Sequence, residues 1–564
     1  MADDVTFHDD IEAYCGRLSV RPGGRVDLHV STRRPSFDVV VERWGAERVE
    51  VWRNDEPIAG EFHEVPDDAD ANGCRWPVAL SVDVGDDWTS GFHLVTLTAH
   101  GAPEGRDTAH ACFVVRSTDG ARSANSTVLV LATNTWNAYN AWGGCSLYTG
   151  GTHVSFRRPF ARGMLCRPEV ERDDRKARPV RWDEEPDADG LIYQRYRTER
   201  DYPASIGSSG WFTFERRFVE WAESEGHRFD YAISSDLDDD PGALDGYDVV
   251  LSVGHDEYWS RGQREAVERH VEGGGHLASF SGNTMFWQVR LEPAARPTAA
   301  SPDPGPDHDP SDGHGDDQER DRADEQEHDQ GDGATMVGYK YAAHRDDPVL
   351  TDGDPTTMSG MWADPIVGRP EAALLGAGSA WGLYHRFGQA TARGIGGFVV
   401  YRDDHWLLEG TGLRYGDVLG ARDGVVGYET VGCRIQFDEY QLPVRAGGDD
   451  TPVDHEIVAF CPSSNLRVGE YPASISALSD QGDLDFVAER LLGRVDDDSV
   501  ARIRHGNAVM VTCRPFGSDG GEVVVVGTTD WAFGLANDPA VARVTTNVLE
   551  RVTGRSRAGT DPHP

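Results

Sequence analysis

The chain has 564 residues, of which 96 are acidic and 54 are basic, and its formal net charge is −42. No stretch approaches the roughly 20 consecutive apolar residues of a membrane-spanning helix, which argues against a membrane protein. A surface this acidic repels phosphate, which argues against a protein that binds nucleic acid.

Lysine is almost absent from the basic residues, since only Lys176 and Lys340 occur and all the others are arginine. Excess carboxylate along a whole chain is tolerable in concentrated salt, where the Debye length falls to about 3 Å at 1 M, so we expect a halophilic protein. The first residues lack a secretory signal pattern, and the 8 cysteines show no CxxC pair and no zinc spacing. We therefore expect reduced thiols and a cytoplasmic location.

Residues 20–118 contain short stretches in which apolar and polar residues alternate, for example Val26, Leu28 and Val30. Gly, Pro and Asp clusters separate these stretches, and no helical pattern lies between them. Evenly spaced strands of this kind predict a small immunoglobulin-like β-sandwich over residues 1–120.

The pattern changes at Ser126, where continuous apolar runs begin to alternate with helical patterns. Continuous runs are typical of strands that are buried on both faces, and their alternation with helices predicts a parallel α/β sheet. One helix should begin after Ser260, because Gln263 completes a capping pattern, and the last helix should begin at Asp538-Pro539. The predicted strands are STVLVLAT at 126–133, RFDYAIS at 228–234, YDVVLSV at 247–253, HLASFS at 276–281 and EVVVVGTTDW at 522–531.

This α/β domain is expected to span residues 121–555, with a β-rich region between 336 and 470. Residues 296–334 are strongly acidic and almost free of apolar side chains, so they cannot bury enough surface to offset their ordering entropy. We expect a disordered insertion there, rather than a metal-binding segment, and a disordered tail over 556–564.

Chemistry-bearing side chains follow three of the predicted parallel strands. Tyr139 follows the first, His255 and Glu257 follow the strand at 247–253, and Asn283 follows the next one. Ligands in open α/β sheets bind beyond the carboxyl ends of the strands, so these residues should line one crevice. There is no GxSxG elbow and no phosphate loop, which leaves a hydrolase-like crevice with or without a metal. These polar groups could equally bond only to the backbone.

Several motifs in a fixed order resemble the large (β) subunit of N,N-dimethylformamidase and its C-terminal catalytic region. The similarity runs from about residue 125 to 553, and the sandwich before it fits more loosely. The resemblance implies a sandwich followed by an α/β domain similar to class I glutamine amidotransferases. It also implies hydrolysis of a linear amide C–N bond at a mononuclear iron that two tyrosines and one glutamate hold. The motifs are NTWNAYNAWGGCSLY, VSFRRPF, GHDEYWS, SGNTMFW, GTGLRYGD and GTTDWAFGL.

The resemblance assigns roles to five residues of this chain. Tyr139 and Glu257 correspond to metal ligands, and His255 and Asn283 would face the substrate or support the ligands. Glu429, in VGYETVG, fits a glutamate that the family carries in a GxE motif near the end of the β-rich region.

The second tyrosine ligand is expected in a segment of the form SG-x-Tyr, which here is Ser90-Gly91-Phe92-His93. His93 would then replace a phenolate. An imidazole can still bind iron or zinc, but one fewer anionic ligand lowers the preference for ferric iron. Another divalent metal, or no metal, therefore stays open.

The leading hypothesis is a metal-dependent amidohydrolase that cleaves a small carboxamide. His255 or Glu429 would move the proton, and Asn283 would orient the carbonyl or the water. The alternative is a non-catalytic protein that binds a carbohydrate or another small polar ligand on the same fold. A homo-oligomer and a small partner subunit both stay open, whereas no nucleic acid and no membrane is expected.

Overall fold

The computed structural model describes residues 10–117, 126–168, 196–293, 334–385, 396–427, 429–470 and 482–552. The predicted acidic insertion lies outside these ranges except for Ala334, and the predicted tail at 556–564 lies outside them entirely. The expectation of disorder for both segments therefore stays a prediction.

The N-terminal strands form two sheets that share one apolar core. The smaller sheet has the order β1-β3-β7 and the larger one β2-β9-β8-β4-β5, with β6 also paired to β4. Val26 and Leu28 of the first sheet and Val39 and Val95 of the second are fully buried in the same cluster, as the alternating pattern predicted. The strands are β1 (Glu12–Cys15), β2 (Ser19–Val20), β3 (Arg25–Ser31), β4 (Ser36–Trp44), β5 (Arg48–Arg53), β6 (Ile58–Ala59), β7 (Val78–Asp83), β8 (Gly91–Ala99) and β9 (Thr108–Val115).

The rest of the described chain contributes the strands of a large central sheet and of two small ones. These strands are β10 (Thr127–Leu131), β11 (His153–Ser155), β12 (Asp230–Ile233), β13 (Val249–His255), β14 (Tyr258–Ser260), β15 (His276–Gly282), β16 (Trp287–Pro293), β17 (Ala334–Val337), β18 (Gly378–Tyr384), β19 (Phe398–Val400), β20 (Val418–Leu419), β21 (Glu429–Gly432), β22 (Ile435–Phe437), β23 (Pro443–Arg445), β24 (His455–Ser464), β25 (His505–Cys513) and β26 (Val523–Val526).

The central sheet begins with five parallel strands in the order β12-β10-β13-β15-β26. In chain order this is 2-1-3-4-5, the doubly wound order in which a ligand crevice opens between the first and third strands. The sheet continues through β25, β24, β18 and β21 in antiparallel pairs. The mixed α/β architecture and the strand-rich middle region predicted from the sequence are confirmed, whereas likeness to glutamine amidotransferases stays a prediction.

Two helices begin at the residues predicted from the sequence. Ser260 caps the helix Arg261–Glu272 by accepting a hydrogen bond from the Gln263 backbone, as predicted. The final helix, Pro539–Val552, begins with proline and buries Val541, Val544 and Val548. The other helices are Ala69–Asn72, Thr133–Tyr139, Glu215–Ser224, Ser234–Asp239, Ala343–Asp346, Val349–Asp352, Ala372–Leu375, Asp483–Leu492 and Asp497–Arg504, with 3-10 turns at Lys340–Ala342, Pro355–Thr357, Trp406–Leu408 and Trp531–Gly534.

Two packing features position the functional region. The sandwich rests on the α/β layer through Phe92, whose ring stacks on Trp211 with centroids 4.0 Å apart. Pro293 of β16 lies opposite Ala334 of β17 in an antiparallel pair, so the acidic segment leaves and re-enters the fold at one place. Within the described ranges, every helix is too short or too polar to cross a membrane.

Candidate metal centre

Four chain segments bring their side chains together beyond the carboxyl ends of the parallel strands. Tyr139 ends the helix that follows β10, His255 ends β13 with Glu257 two residues later, and Asn283 follows β15. Glu429 joins them from the first position of β21, on the antiparallel side of the same sheet. Because β10 and β13 flank the reversal of strand order, this is where the topology places a ligand crevice.

The Glu257 carboxylate is the centre of the cluster, and it is 2% exposed. Tyr139 Oη donates to Oε2 at 2.9 Å, and Tyr148 Oη lies 2.8 Å from Oε1 and 2.9 Å from Oε2. Trp287 Nε1 donates to Oε1 at 2.9 Å. A buried carboxylate is stable only when such partners compensate its lost hydration, and here two phenols and an indole do so.

His255 lies between two carboxylates. Its Nε2 is 2.6 Å from Glu429 Oε2 and 3.3 Å from Glu257 Oε2. Its Nδ1 is 2.6 Å from the carbonyl oxygen of Ser208, which can only accept, so Nδ1 carries a proton. A second proton must therefore be shared between Nε2 and Glu429.

The pKa values of this triad follow from burial and from mutual contact. Burial opposes the charged imidazole, but Glu429 and Glu257 together hold the pKa of His255 well above its ordinary value. Burial raises the pKa of Glu429. Burial also acts to raise the pKa of Glu257, but the bond and charge of His255 outweigh it and keep that pKa below its usual range. Glu257 is thus the carboxylate that stays ionised.

Asn283 fixes the position of Glu429. Its Nδ2 donates to Glu429 Oε2 at 3.0 Å, while its Oδ1 is buried and has no hydrogen-bond partner in the described part of the chain. Asn283 has a φ of +50°, a left-handed conformation that an asparagine adopts more readily than most residues. An acceptor left open in a buried site is suited to the N–H of an amide or to a water molecule.

Aromatic rings and the ammonium group of Lys340 enclose the cluster. The rings of Tyr139 and Tyr148 stack with centroids 4.3 Å apart, and Tyr258 Oη donates to Tyr148 Oη at 2.9 Å. Burial and the Glu257 charge raise the pKa of Tyr148 and of Tyr258 well above ordinary phenol values. Both tyrosines are therefore neutral donors in the absence of a cation.

His93 is not brought to this cluster, contrary to the expected ligand set. Alternate residues of β8 face opposite sides, so Phe92 packs on the α/β layer and His93 points into the sandwich. Its ring packs against those of Trp88 and Phe113, whose centroids are 5.3 and 5.2 Å away. Burial lowers the pKa of His93 to about 3, so it is a neutral core residue.

Three residues at the centre were not assigned from the sequence: Tyr148, Trp287 and Lys340. Tyr148 is the last residue of NTWNAYNAWGGCSLY, and Trp287 ends SGNTMFW, so both lie in the motifs that carry the family resemblance. Their position in those motifs could have identified them as candidate site residues. Lys340 follows the acidic segment. The only feature of the sequence that distinguishes it is that the chain has just two lysines.

Two overlapping donor sets here could hold a cation, and both include Glu257. One comprises Tyr139, Tyr148 and Glu257, in which each phenol oxygen lies 2.8–2.9 Å from an oxygen of the Glu257 carboxylate. Such spacing matches the edge of a coordination shell, since ligands at about 2.0–2.2 Å from a metal lie roughly 2.8–3.6 Å from one another. The other set is His255, Glu257 and Glu429, whose ligand atoms all lie within 4.8 Å of one another.

Comparison with known proteins identifies one family and one relative. The model of a family described as "N,N-dimethylformamidase beta subunit-like, C-terminal" matches residues 38–543. An N,N-dimethylformamidase beta subunit from Alcaligenes sp. is 27% identical over 138 residues, which are 22% of this chain and 18% of that protein. The aligned part thus spans less than one fifth of the relative's length.

Proposed function

This chain belongs to the N,N-dimethylformamidase beta subunit-like C-terminal family, and from that premise we propose that it is a metal-dependent amidohydrolase. Its substrate would be a small carboxamide with a linear C–N bond. The observation that carries the proposal is the convergence of Tyr139, Tyr148 and Glu257 beside the His255–Glu429 pair. The three proposed metal ligands therefore lie next to a pair of residues that can transfer a proton.

The donor chemistry fits iron. Two phenolates and one carboxylate would supply three negative charges from hard oxygen atoms, which favour a small, highly charged cation. We therefore propose Tyr148, in place of His93, as the second tyrosine ligand beside Tyr139 and Glu257. A bound cation would polarise the amide carbonyl and acidify a water molecule, as metals do in hydrolysis.

The remaining polar groups would handle the substrate and the proton. Glu429 would accept the proton of the attacking water as the new C–O bond forms. His255, which shares a proton with Glu429 across 2.6 Å, would pass one to the amine nitrogen as the C–N bond breaks. Asn283 would use its open Oδ1 to hold the substrate or the water, while its Nδ2 keeps Glu429 in place.

The test separates ligation from proton transfer. The full chain, purified in molar salt, is loaded with ferric iron, zinc or manganese. Bound metal is measured together with release of dimethylamine from dimethylformamide and of ammonia from formamide and acetamide. Wild type should retain one metal and release amine. Glu429→Gln should keep the metal and lose most turnover, whereas Glu257→Gln should lose both.

The outcomes also decide between the two hypotheses. A wild-type chain that retains no metal under any of these conditions would contradict the proposal and favour the non-catalytic binding protein. If the chain binds metal but does not cleave an amide, the assay is repeated with a small partner subunit, which the family description as a beta subunit suggests.

A further inference from the structure

Lys340 occupies a position in which a lysine is unexpected. It is one of only two lysines in 564 residues and is 4% exposed. Its Nζ lies 3.1 Å from the centroid of the Tyr148 ring, and it also approaches the rings of Tyr341, Trp287 and Tyr258 at 5.5, 5.6 and 5.8 Å. Its ammonium group therefore lies against the face of a proposed ligand within an aromatic cage.

The Lys340 ammonium and the Tyr139 ring both contact the ring of Tyr148. The centroid of Tyr139 is stacked 4.3 Å from that of Tyr148, and Nζ is 3.1 Å from the same centroid. Tyr148 thus contacts both a second proposed ligand and a positive charge.

The backbone at Lys340 is built to hold this placement. Its φ is +52°, a left-handed conformation that costs energy for a residue with a Cβ, and its N–H donates to the Ser359 carbonyl at 2.9 Å. Nζ also donates to the Leu147 carbonyl at 3.3 Å, next to Tyr148 in the chain. Strain of this kind persists where the surrounding structure enforces it, commonly at functional sites.

We propose that Lys340 is a positioning residue that weakens Tyr148 as an electron donor and so makes the metal a stronger Lewis acid. This inference rests on the proposed function. A positive charge over the ring draws electron density from the phenolate oxygen, so less negative charge reaches the metal. A metal that receives less charge polarises an amide carbonyl more strongly.

The residue type supports this role. The chain uses arginine for nearly every other basic position, so a general need for positive charge does not explain a lysine here. An ammonium is a compact point charge that fits over one ring, whereas a guanidinium is broad and planar and needs several acceptors.

The experiment measures the metal's electronic state in the full chain loaded with ferric iron. Lys340→Met removes the charge and keeps the length of the side chain, Lys340→Arg keeps the charge, and Tyr341→Phe serves as a neighbouring control, because Tyr341 lies in the same cage but its hydroxyl bonds to Asp483 and not to Tyr148. The phenolate-to-iron absorption band and the ferric/ferrous reduction potential are recorded for each protein, with thermal unfolding to confirm the fold. Lys340→Gln replaces Lys340→Met if the latter fails to fold.

In Lys340→Met the band should move to longer wavelength and the potential should fall, because the phenolate becomes the better donor. Lys340→Arg should shift the band and the potential less than Lys340→Met does, because it keeps the positive charge although the broader guanidinium fits the ring less well. In Lys340→Met kcat should fall more than KM changes. A neutral variant with an unshifted band and potential would overturn the inference while leaving the proposed function intact. Absence of any such band in the iron-loaded wild type would instead overturn the tyrosine ligation on which both depend.

Discussion

Tyr148 and Glu257 face each other through both carboxylate oxygens, since the phenol oxygen lies 2.8 Å from Oε1 and 2.9 Å from Oε2. The two residues are 109 positions apart in the chain. One phenol that contacts both oxygens holds the carboxylate in a single orientation. Glu257 is thereby presented as a ligand whose rotamer is already fixed, which lowers the entropic cost of binding a cation.

We expect Tyr148→Phe to lose most of its bound iron while its unfolding midpoint changes little. The substitution removes one proposed ligand oxygen and one hydrogen bond, and the latter is worth about 1 kcal/mol. Tyr258→Phe is the matched control, because it loses its bond to Tyr148 but no proposed ligand. Metal analysis after gel filtration measures both. Equal metal retention by the two variants would exclude Tyr148 as a ligand.

His93 should influence stability and its pH dependence without affecting the metal. Its pKa is about 3 in the folded chain against 6.5 for a free histidine, so the unfolded state binds the extra proton between these values. Stability from this residue is therefore complete above about pH 6.5 and falls by about 1.4 kcal/mol per pH unit below it. Denaturant unfolding from pH 4.5 to 7.5 should show a shallower slope for His93→Phe. Loss of metal in that variant would restore the original ligand assignment.

Gly282→Ala should displace Glu429. A Cβ at Gly282 would lie 2.3 Å from the Glu429 carbonyl oxygen and 2.4 Å from the Thr529 nitrogen, and neither backbone atom can rotate away. Overpacking costs about 1–3 kcal/mol, and the strain would act directly on the strand that carries the proposed base. Turnover and the unfolding midpoint should both fall. Gly242→Ala is the control, since the atoms nearest to its Cβ are side-chain oxygens at 3.3 and 3.4 Å; equal effects would disprove the argument.

Residues 296–333 should be dispensable for folding. Pro293 and Ala334 already pair across two strands, so a short Gly-Ser linker can join them without moving either. Each halving of the loop's length lowers the entropic cost of closing the loop by about 0.6 kcal/mol. The unfolding midpoint in molar salt should therefore stay equal or rise. A marked fall would show that the segment packs against the rest of the chain.

The charge of −42 should make folding dependent on salt. Added ions screen repulsion between carboxylates, so the unfolding midpoint should rise steadily from 0.1 M KCl, where the Debye length is about 10 Å, towards 2 M. Sucrose raises stability without screening charge and serves as the comparison. If KCl and sucrose act alike, or if KCl has no effect, the halophilic interpretation is wrong.

Local patterns were sufficient to predict much of the framework. The apolar runs that precede Tyr139, His255 and Asn283 became β10, β13 and β15, since short continuous apolar runs that alternate with helical patterns fit strands buried on both faces. Once three such strands are parallel neighbours, the residues just beyond their carboxyl ends are close in space. The sequence therefore predicts that these residues line one crevice.

Only the tertiary structure decided which further groups complete the centre. Tyr148 reaches it from a loop and Lys340 from the first residue of a short 3-10 turn, where no periodicity in the sequence indicates the direction of a side chain. His93 shows the same limit, because a sequence cannot say which face of β8 meets the α/β layer. The strands are determined by local burial patterns, whereas contacts among loops depend on long-range packing that is formed only when the whole chain is folded.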